Sequence, residues 1–326
     1  MLVIAPILIP FLTAIVCVLA WNNRLVQRWT AVLGSSAALI VAYNLLQTVS
    51  QNGIQILQAS GWPGSFGIVL MADLLSSIMV LVTAVMGLLI AIYGLADIDP
   101  AQEKRGYHAI YQLLLMGVSG AFLTGDLFNL FVWFECILLS SFVLISLGGE
   151  KAQLRGAINY VLPNLFSSML FLSGLGLIYG ATGTLNMDQL GTRTELVHPG
   201  LMVGIATVFL VAFSIKGALF PFFAWLPTSY HTPPHAVTAL FGGLLTKVGV
   251  YAVIRFFTKI YLLQDGIFVT LLTGIAALTM IGGILGALAQ KDVRRVFAFH
   301  IISQIGYMIV GLALQNGYAL AASSLY

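Results

Sequence analysis

The sequence predicts an all-α polytopic membrane protein with ten complete transmembrane helices and the start of an eleventh. Three observations predict it. Of the 326 residues, 60% are hydrophobic and 8% are charged, about a third of the charged share of a soluble domain. Apolar windows of about 20 residues, enough to cross a bilayer as an α-helix, recur along the whole chain. The lysines and arginines between those windows are strongly biased to one side.

The first window is Leu2–Trp21. It has no basic n-region and no small-residue cleavage site, so it reads as a retained helix and not a cleaved signal peptide. The following windows are Trp29–Val49, Asp73–Leu95, His108–Thr124, Leu127–Leu147 and Gly156–Tyr179. Then come Gly200–Phe223, Ala236–Phe257, Gly266–Ala289 and Val296–Leu314, and Gly317–Tyr326 begins an eleventh. Between the second and third windows, Gly61-Trp-Pro-Gly lies between short apolar stretches, Ile54–Leu57 and Gly67–Met71. That pattern predicts a small hairpin. Between the sixth and seventh, Thr184–Leu190 predicts one surface turn of helix. No low-complexity linker or second, soluble domain is visible.

Orientation follows from the loop cations. Connections after odd-numbered helices hold nine of the fourteen: Arg24, Arg28, Lys104, Arg105, Lys151, Arg155, Lys291, Arg294 and Arg295. The opposite side holds Arg193, Arg255 and Lys259. This bias predicts an N-terminus outside.

The remaining two lysines, Lys216 and Lys247, lie within apolar runs, and Glu135 does so in an earlier one. A charge at bilayer depth costs roughly 2.5–3.5 kcal/mol even on the lenient insertion scale, so such residues mark ion paths. Glu135 lies nine residues beyond Asp126, roughly 13 Å deep at 1.5 Å per residue. Paired with a lysine it is either a switch that releases a proton or a static ion pair pinning two helices. Lys216 is followed by Gly217 and Pro221. The proline lacks an N–H, so the seventh helix is expected to break beside the lysine, as helices do around transporter cavities; the alternative is an ordinary kink with a snorkelling lysine. Lys247 is midway along the eighth helix and too central to snorkel, which suits a proton relay. His300, Ser303, Gln304 and Tyr307 recur at i, i+3, i+4 and i+7, which predicts one polar face turned into the bundle. His300 is there a relay or a hydrogen-bonded interior histidine.

Weaker candidates surround these. Asp73 and Asp126 are ion ligands or simply helix N-caps. Tyr160, Asn164, Ser167 and Ser168 form a polar face on the sixth helix, more often interhelical glue than a path. His231 and His235, in YHTPPH, admit protons or belong to a rigid proline turn. Cys17 and Cys136 sit in apolar runs and predict neither disulfide nor metal site. There is no phosphate-binding loop, no dinucleotide fingerprint, no CxxC and no haem or iron–sulfur pattern. The chain therefore has no expected cofactor, no nucleic-acid partner and no machinery of its own for ATP or electrons. Transport is expected to run on an ion gradient or on partner subunits.

Four stretches carry a resemblance: DLFNLFVWFECILLSSFVLI, NYVLPNLFSSMLFLSGLGLIYGATGTLNMDQL, KGALFPFFAWLPTSYHTPPHAVTALFGGLLTKVGVYAVIRFF and KDVRRVFAFHIISQIGYM. Through them the chain resembles the antiporter-like membrane subunits of the complex I superfamily, and among these the D-type subunits of Mrp-type sodium/proton antiporters. The resemblance implies a secondary-transporter subunit in a bacterial plasma membrane, assembled with other membrane subunits and moving Na+ against H+. The redox-driven proton pumps of the superfamily are the alternative. It implies Glu135 paired with Lys216, Lys247 as central relay, and two inverted five-helix repeats. These would divide the chain into N-terminal helices (1–107), a first repeat (108–260) and an incomplete second repeat (261–326).

Overall fold

Backbone at bilayer depth has no water to bond, so a crossing segment must close its own hydrogen bonds, and a helix does so within itself. The computed structural model describes residues 2–59, 67–261 and 266–326. Among them, eight helices are long and apolar enough to cross a membrane, and Ala5–Leu19 and Tyr107–Leu123 are shorter apolar helices. The chain divides into two compact units, Met1–Ala157 with Thr232–Leu244 and Ile158–His231 with Leu245–Tyr326.

In the first unit, α1 (Ala5–Leu19) packs against α2 (Arg24–Asn52) and α5 (Tyr107–Leu123). Gly34 lets α2 approach the Thr13 side chain of α1 closely. Strands β1 (Gln55–Gln58) and β2 (Val69–Ala72) pair antiparallel, Gln55 opposite Ala72. This is the expected hairpin; its Gly61–Gly64 turn lies outside the described residues. The helix α3 (Leu74–Asp97) opens on a capping box in which the Asp73 carboxylate accepts from Ser76 N–H and the Ser76 hydroxyl meets the Asp73 N–H. A short α4 (Pro100–Lys104) follows, and α6 (Leu127–Ser146) opens with Asp126 accepting from Asn129 N–H. The cap reading of Asp73 and Asp126 thus matches their geometry.

Helix α7 (Lys151–Thr182) carries the chain into the second unit. It begins five residues before its apolar window, as α2 does before Trp29. Hydropathy marks the stretch that hydrocarbon can hold, while the charged ends continue as helix. The expected surface turn is α8 (Met187–Arg193), capped by the Asn186 side chain. Next come α9 (Pro199–Lys216) and α10 (Trp225–Ser229). One span, His235–Ile260, joins α11 (His235–Leu240) to α12 (Thr246–Arg255), with π-helical turns at Phe241–Leu245 and Phe256–Ile260. Arg255, expected in a loop, is 5% exposed inside this span, because the helix runs past Phe257 to Ile260. Its Nε donates to the Tyr251 hydroxyl at 2.8 Å.

The last helices are α13 (Gly266–Leu288), α14 (Val293–Ala313) and α15 (Gly317–Leu325). Small residues let α13 and α14 touch through backbone, the usual device where lipid gives no hydrophobic drive between helices. A Cβ on Gly306 would lie 2.8 Å from Met280 N, and one on Gly283 would meet Ser303 N.

Candidate ion-translocation site

The site begins where α9 stops. Lys216 is its last residue, a basic residue in the last turn, where the backbone dipole favours a cation. The helix ends there because Gly217 is followed by Ala218 at φ 54°, a left-handed conformation costly for a residue with a Cβ, and then by Pro221. The carbonyl and N–H groups around the end of α9 are taken up locally. Trp225 Nε1 donates to Ile215 O at 3.0 Å, Leu219 N to Ser214 O at 2.9 Å, and Phe220 N to Thr279 Oγ1 on α13 at 2.9 Å.

Lys216 is 7% exposed. Its Nζ donates to Ser168 Oγ on α7 at 3.0 Å, and the Ser168 hydroxyl donates onward to Asn164 O at 3.0 Å. One residue earlier, Ser167 Oγ donates to Ala212 O on α9 at 2.7 Å. The polar face expected on the sixth helix therefore divides: Ser167 ties helix to helix, and Ser168 meets the lysine.

Behind Lys216, α9 and α12 cross with their backbones nearly touching. A Cβ on Gly249 would lie 2.5 Å from Gly217 N and 2.8 Å from the Lys216 carbonyl carbon. This crossing brings α12, and with it the partly buried Lys247, against the end of α9. Lys247 follows the Phe241–Leu245 π-turn by two residues, and π-turns occur often at functional sites. The hydroxyls of Ser214 and Thr246 are buried without a hydrogen-bond partner among the described residues.

The other expected residues lie elsewhere. Glu135, partly buried on α6, belongs to the first unit, whereas Lys216 and Lys247 belong to the second. The α14 stripe is not turned inward as a whole. Ser303 is buried against α13, but His300 and Tyr307 are exposed. The four side chains span about 100° of arc, and α13 covers only the edge that Ser303 occupies. His300 Nε2 lies 3.0 Å from Gln304 Nε2, and the same glutamine meets Tyr326 of the last turn through its oxygen.

The two proline-turn histidines have different partners. His231 Nδ1 lies 2.9 Å from Pro227 O, so the neutral ring carries its proton there. Burial pushes its pKa below the ordinary histidine value, and the Arg295 charge adds to this. His235 Nδ1 lies 3.1 Å from Asp97 Oδ1, and Asp97 Oδ2 accepts from Ala236 N–H at 2.8 Å, capping α11.

One cluster has no counterpart among the residues the sequence pattern singles out. Glu103 on α4 is fully buried and binds Arg24, Arg28 and His108, with closest distances of 2.6, 2.7 and 3.1 Å. Burial pushes its carboxyl up, but the hydrogen bonds from Arg28, Arg24 and His108 outweigh it and leave the pKa below the ordinary range. Asp99-Pro100 is a helix-start signal that would have located α4. Among the described residues, no group of three or more side chains is arranged to hold a metal ion.

A family model described as NADH:quinone oxidoreductase/Mrp antiporter, TM, matches residues 124–326. The chain belongs to this family. The D subunit of the Na(+)/H(+) antiporter of Alkalihalophilus pseudofirmus is 46% identical over 326 residues, which is 100% of this chain and 66% of that protein. A chain of the Mrp complex from Dietzia sp. DQ12-45-1b superposes with a TM-score of 0.91 at 32% identity, over 100% of this chain and 61% of that one. A chain of the membrane-bound sulfane sulfur reductase, an archaeal respiratory membrane complex, superposes with a TM-score of 0.93 at 28% identity, over 98% and 66%. The chain thus spans about two thirds of the length of the relatives it matches. As a member of the NADH:quinone oxidoreductase/Mrp antiporter family it is a multi-pass membrane protein with the antiporter-like fold. The family match opens just before the Asp126 cap and contains Glu135, Lys216, Lys247 and His300.

Proposed function

We propose that the chain is a membrane subunit of a multisubunit Na+/H+ antiporter, a secondary-transporter component and not an enzyme, in a bacterial plasma membrane. The observation that carries this is the 46% identity, along the whole chain, to the D subunit of such an antiporter. The other subunits of an Mrp-type complex are its partners. Ten helices cross the membrane with the N-terminus outside, the seventh interrupted beside Lys216. Residues 108–260 form the first inverted repeat and 261–326 part of the second.

In this function Glu135 is the acidic partner of Lys216, Lys247 relays charge between half-channels, and His300 continues the relay on α14. Two features support these roles: a buried lysine at the open end of a helix, and the Gly217–Gly249 crossing that brings the helix of the second lysine against it. The test is exchange in energised everted vesicles, carrying the whole complex in an antiporter-deficient host, followed with a pH-gradient dye. Sodium should collapse the gradient in wild type and not in Glu135→Gln at matched assembly. Collapse in both would remove Glu135 from the path.

A second reading is a proton-pumping subunit of a redox complex. The TM-score of 0.93 to the sulfane sulfur reductase chain favours it; the lower identity, 28% against 46%, weighs against it. Proton translocation that follows electron donor, and not sodium, would establish it.

A further inference from the structure

We infer that Ser168 is a positioning residue for ion exchange, the hydroxyl acceptor on α7 that holds the Lys216 ammonium in place. The inference rests on the proposed role of Lys216 and adds a residue to it. A hydroxyl has one hydrogen to donate and lone pairs to accept with. The Ser168 hydrogen is committed to Asn164 O, one helical turn back, at 3.0 Å. Its lone pairs are therefore what Lys216 Nζ meets, also at 3.0 Å.

The polarity of this arrangement matters. An ammonium has three N–H donors and nothing to accept with, so it meets the hydroxyl through the oxygen lone pairs. Both side chains are 7% exposed, and with water largely excluded a charge-assisted hydrogen bond is stronger than at a surface. Asn164 is held in turn, its Nδ2 donating to Tyr160 O at 2.8 Å. Ser167 supplies the control. It is fully buried and lies one residue away, but its hydroxyl donates to a backbone carbonyl and stitches α7 to α9.

The experiment measures sodium-dependent exchange in everted vesicles with the whole complex, for Ser168→Ala, Ser168→Thr, Ser168→Cys, Ser167→Ala and Lys216→Ala. Removing a hydrogen bond to a charged group predicts about a tenfold loss of maximal rate in Ser168→Ala, with half-saturating sodium and assembly unchanged. Ser168→Cys, nearly isosteric but a weak acceptor, should show the same loss; it replaces the alanine variant if that one fails to assemble. Ser168→Thr keeps the hydroxyl and should restore the rate to within about twofold. Wild-type rates in the alanine and cysteine variants, with Lys216→Ala inactive, would overturn the role of Ser168 and leave that of Lys216. An identical kinetic signature in Ser167→Ala, or equal loss in Ser168→Thr, would reduce Ser168 to packing. Full exchange by Lys216→Ala would overturn the proposed role of the lysine itself, and this inference with it.

Discussion

Replacing Gly249 by alanine tests the crossing on which the lysine geometry depends. The added Cβ would sit 2.5 Å from Gly217 N, 2.7 Å from Gly217 Cα and 2.8 Å from the Lys216 carbonyl carbon. Non-bonded carbons rest at about 3.5–4.0 Å, so the helices must part by roughly 1 Å. All three neighbours are backbone atoms and cannot rotate aside as a side chain would. Overpacking of this kind costs about 1–3 kcal/mol, of which alanine's better helix propensity offsets at most about 1 kcal/mol. A net loss of about 1–2 kcal/mol remains. Gly204→Ala on α9 is the control, since nothing lies within 4 Å of its added Cβ. Thermal melts of the purified complex should show Gly249→Ala unfolding earlier than wild type and Gly204→Ala unfolding with it or later. Exchange should fall in the first variant only, as the α9 end moves away from Ser168. Equal melting of the two alanine variants would refute the close crossing.

Three further outcomes follow from named contacts. Breaking a buried ion pair costs about 3–5 kcal/mol, but Arg24 and Arg28 are each about one-third exposed, so Glu103→Gln should cost less, about 2 kcal/mol. Because the folded Glu103 carboxyl lies below its ordinary range, its stabilisation is present above the unfolded value of about 4.3 and is lost as pH falls through the folded value. Melts of wild type and Glu103→Gln should therefore converge as the pH falls below the ordinary carboxylate range; a constant gap would refute the assignment. Asp73→Ala should cost about 1 kcal/mol of stability through the lost cap and leave exchange intact, whereas lost exchange at unchanged stability would make Asp73 an ion ligand. Asp97→Asn should loosen the start of α11, read as faster amide exchange at Ala236, and unchanged protection there would refute the cap.

The sequence made the crossing segments legible because each must be apolar over its own length, a property that needs no knowledge of neighbours. It made the caps legible for the same reason: Asp73 and Asp126 bond N–H groups three residues on. What it left hidden is set by residues far apart in the chain. Arg24 and Arg28 read as markers of sidedness, but their partner Glu103 lies 75 to 79 residues away on a five-residue helix too short to show a period. Ser168 and Lys216 are separated by 48 residues, and helical periodicity relates only residues of one helix. The α14 stripe shows the limit from the other side. Its spacing correctly places four polar residues on one face, but which edge of that face is covered depends on where α13 packs, and that is decided by Gly283 and Gly306. In a chain where 8% of residues are charged, the sequence can therefore name the side chains that need partners. Which partner each one finds depends on helix crossings, and those crossings are governed by glycines that carry no chemistry of their own. A substitution at Gly249 is for this reason expected to impair exchange without touching any ionisable group.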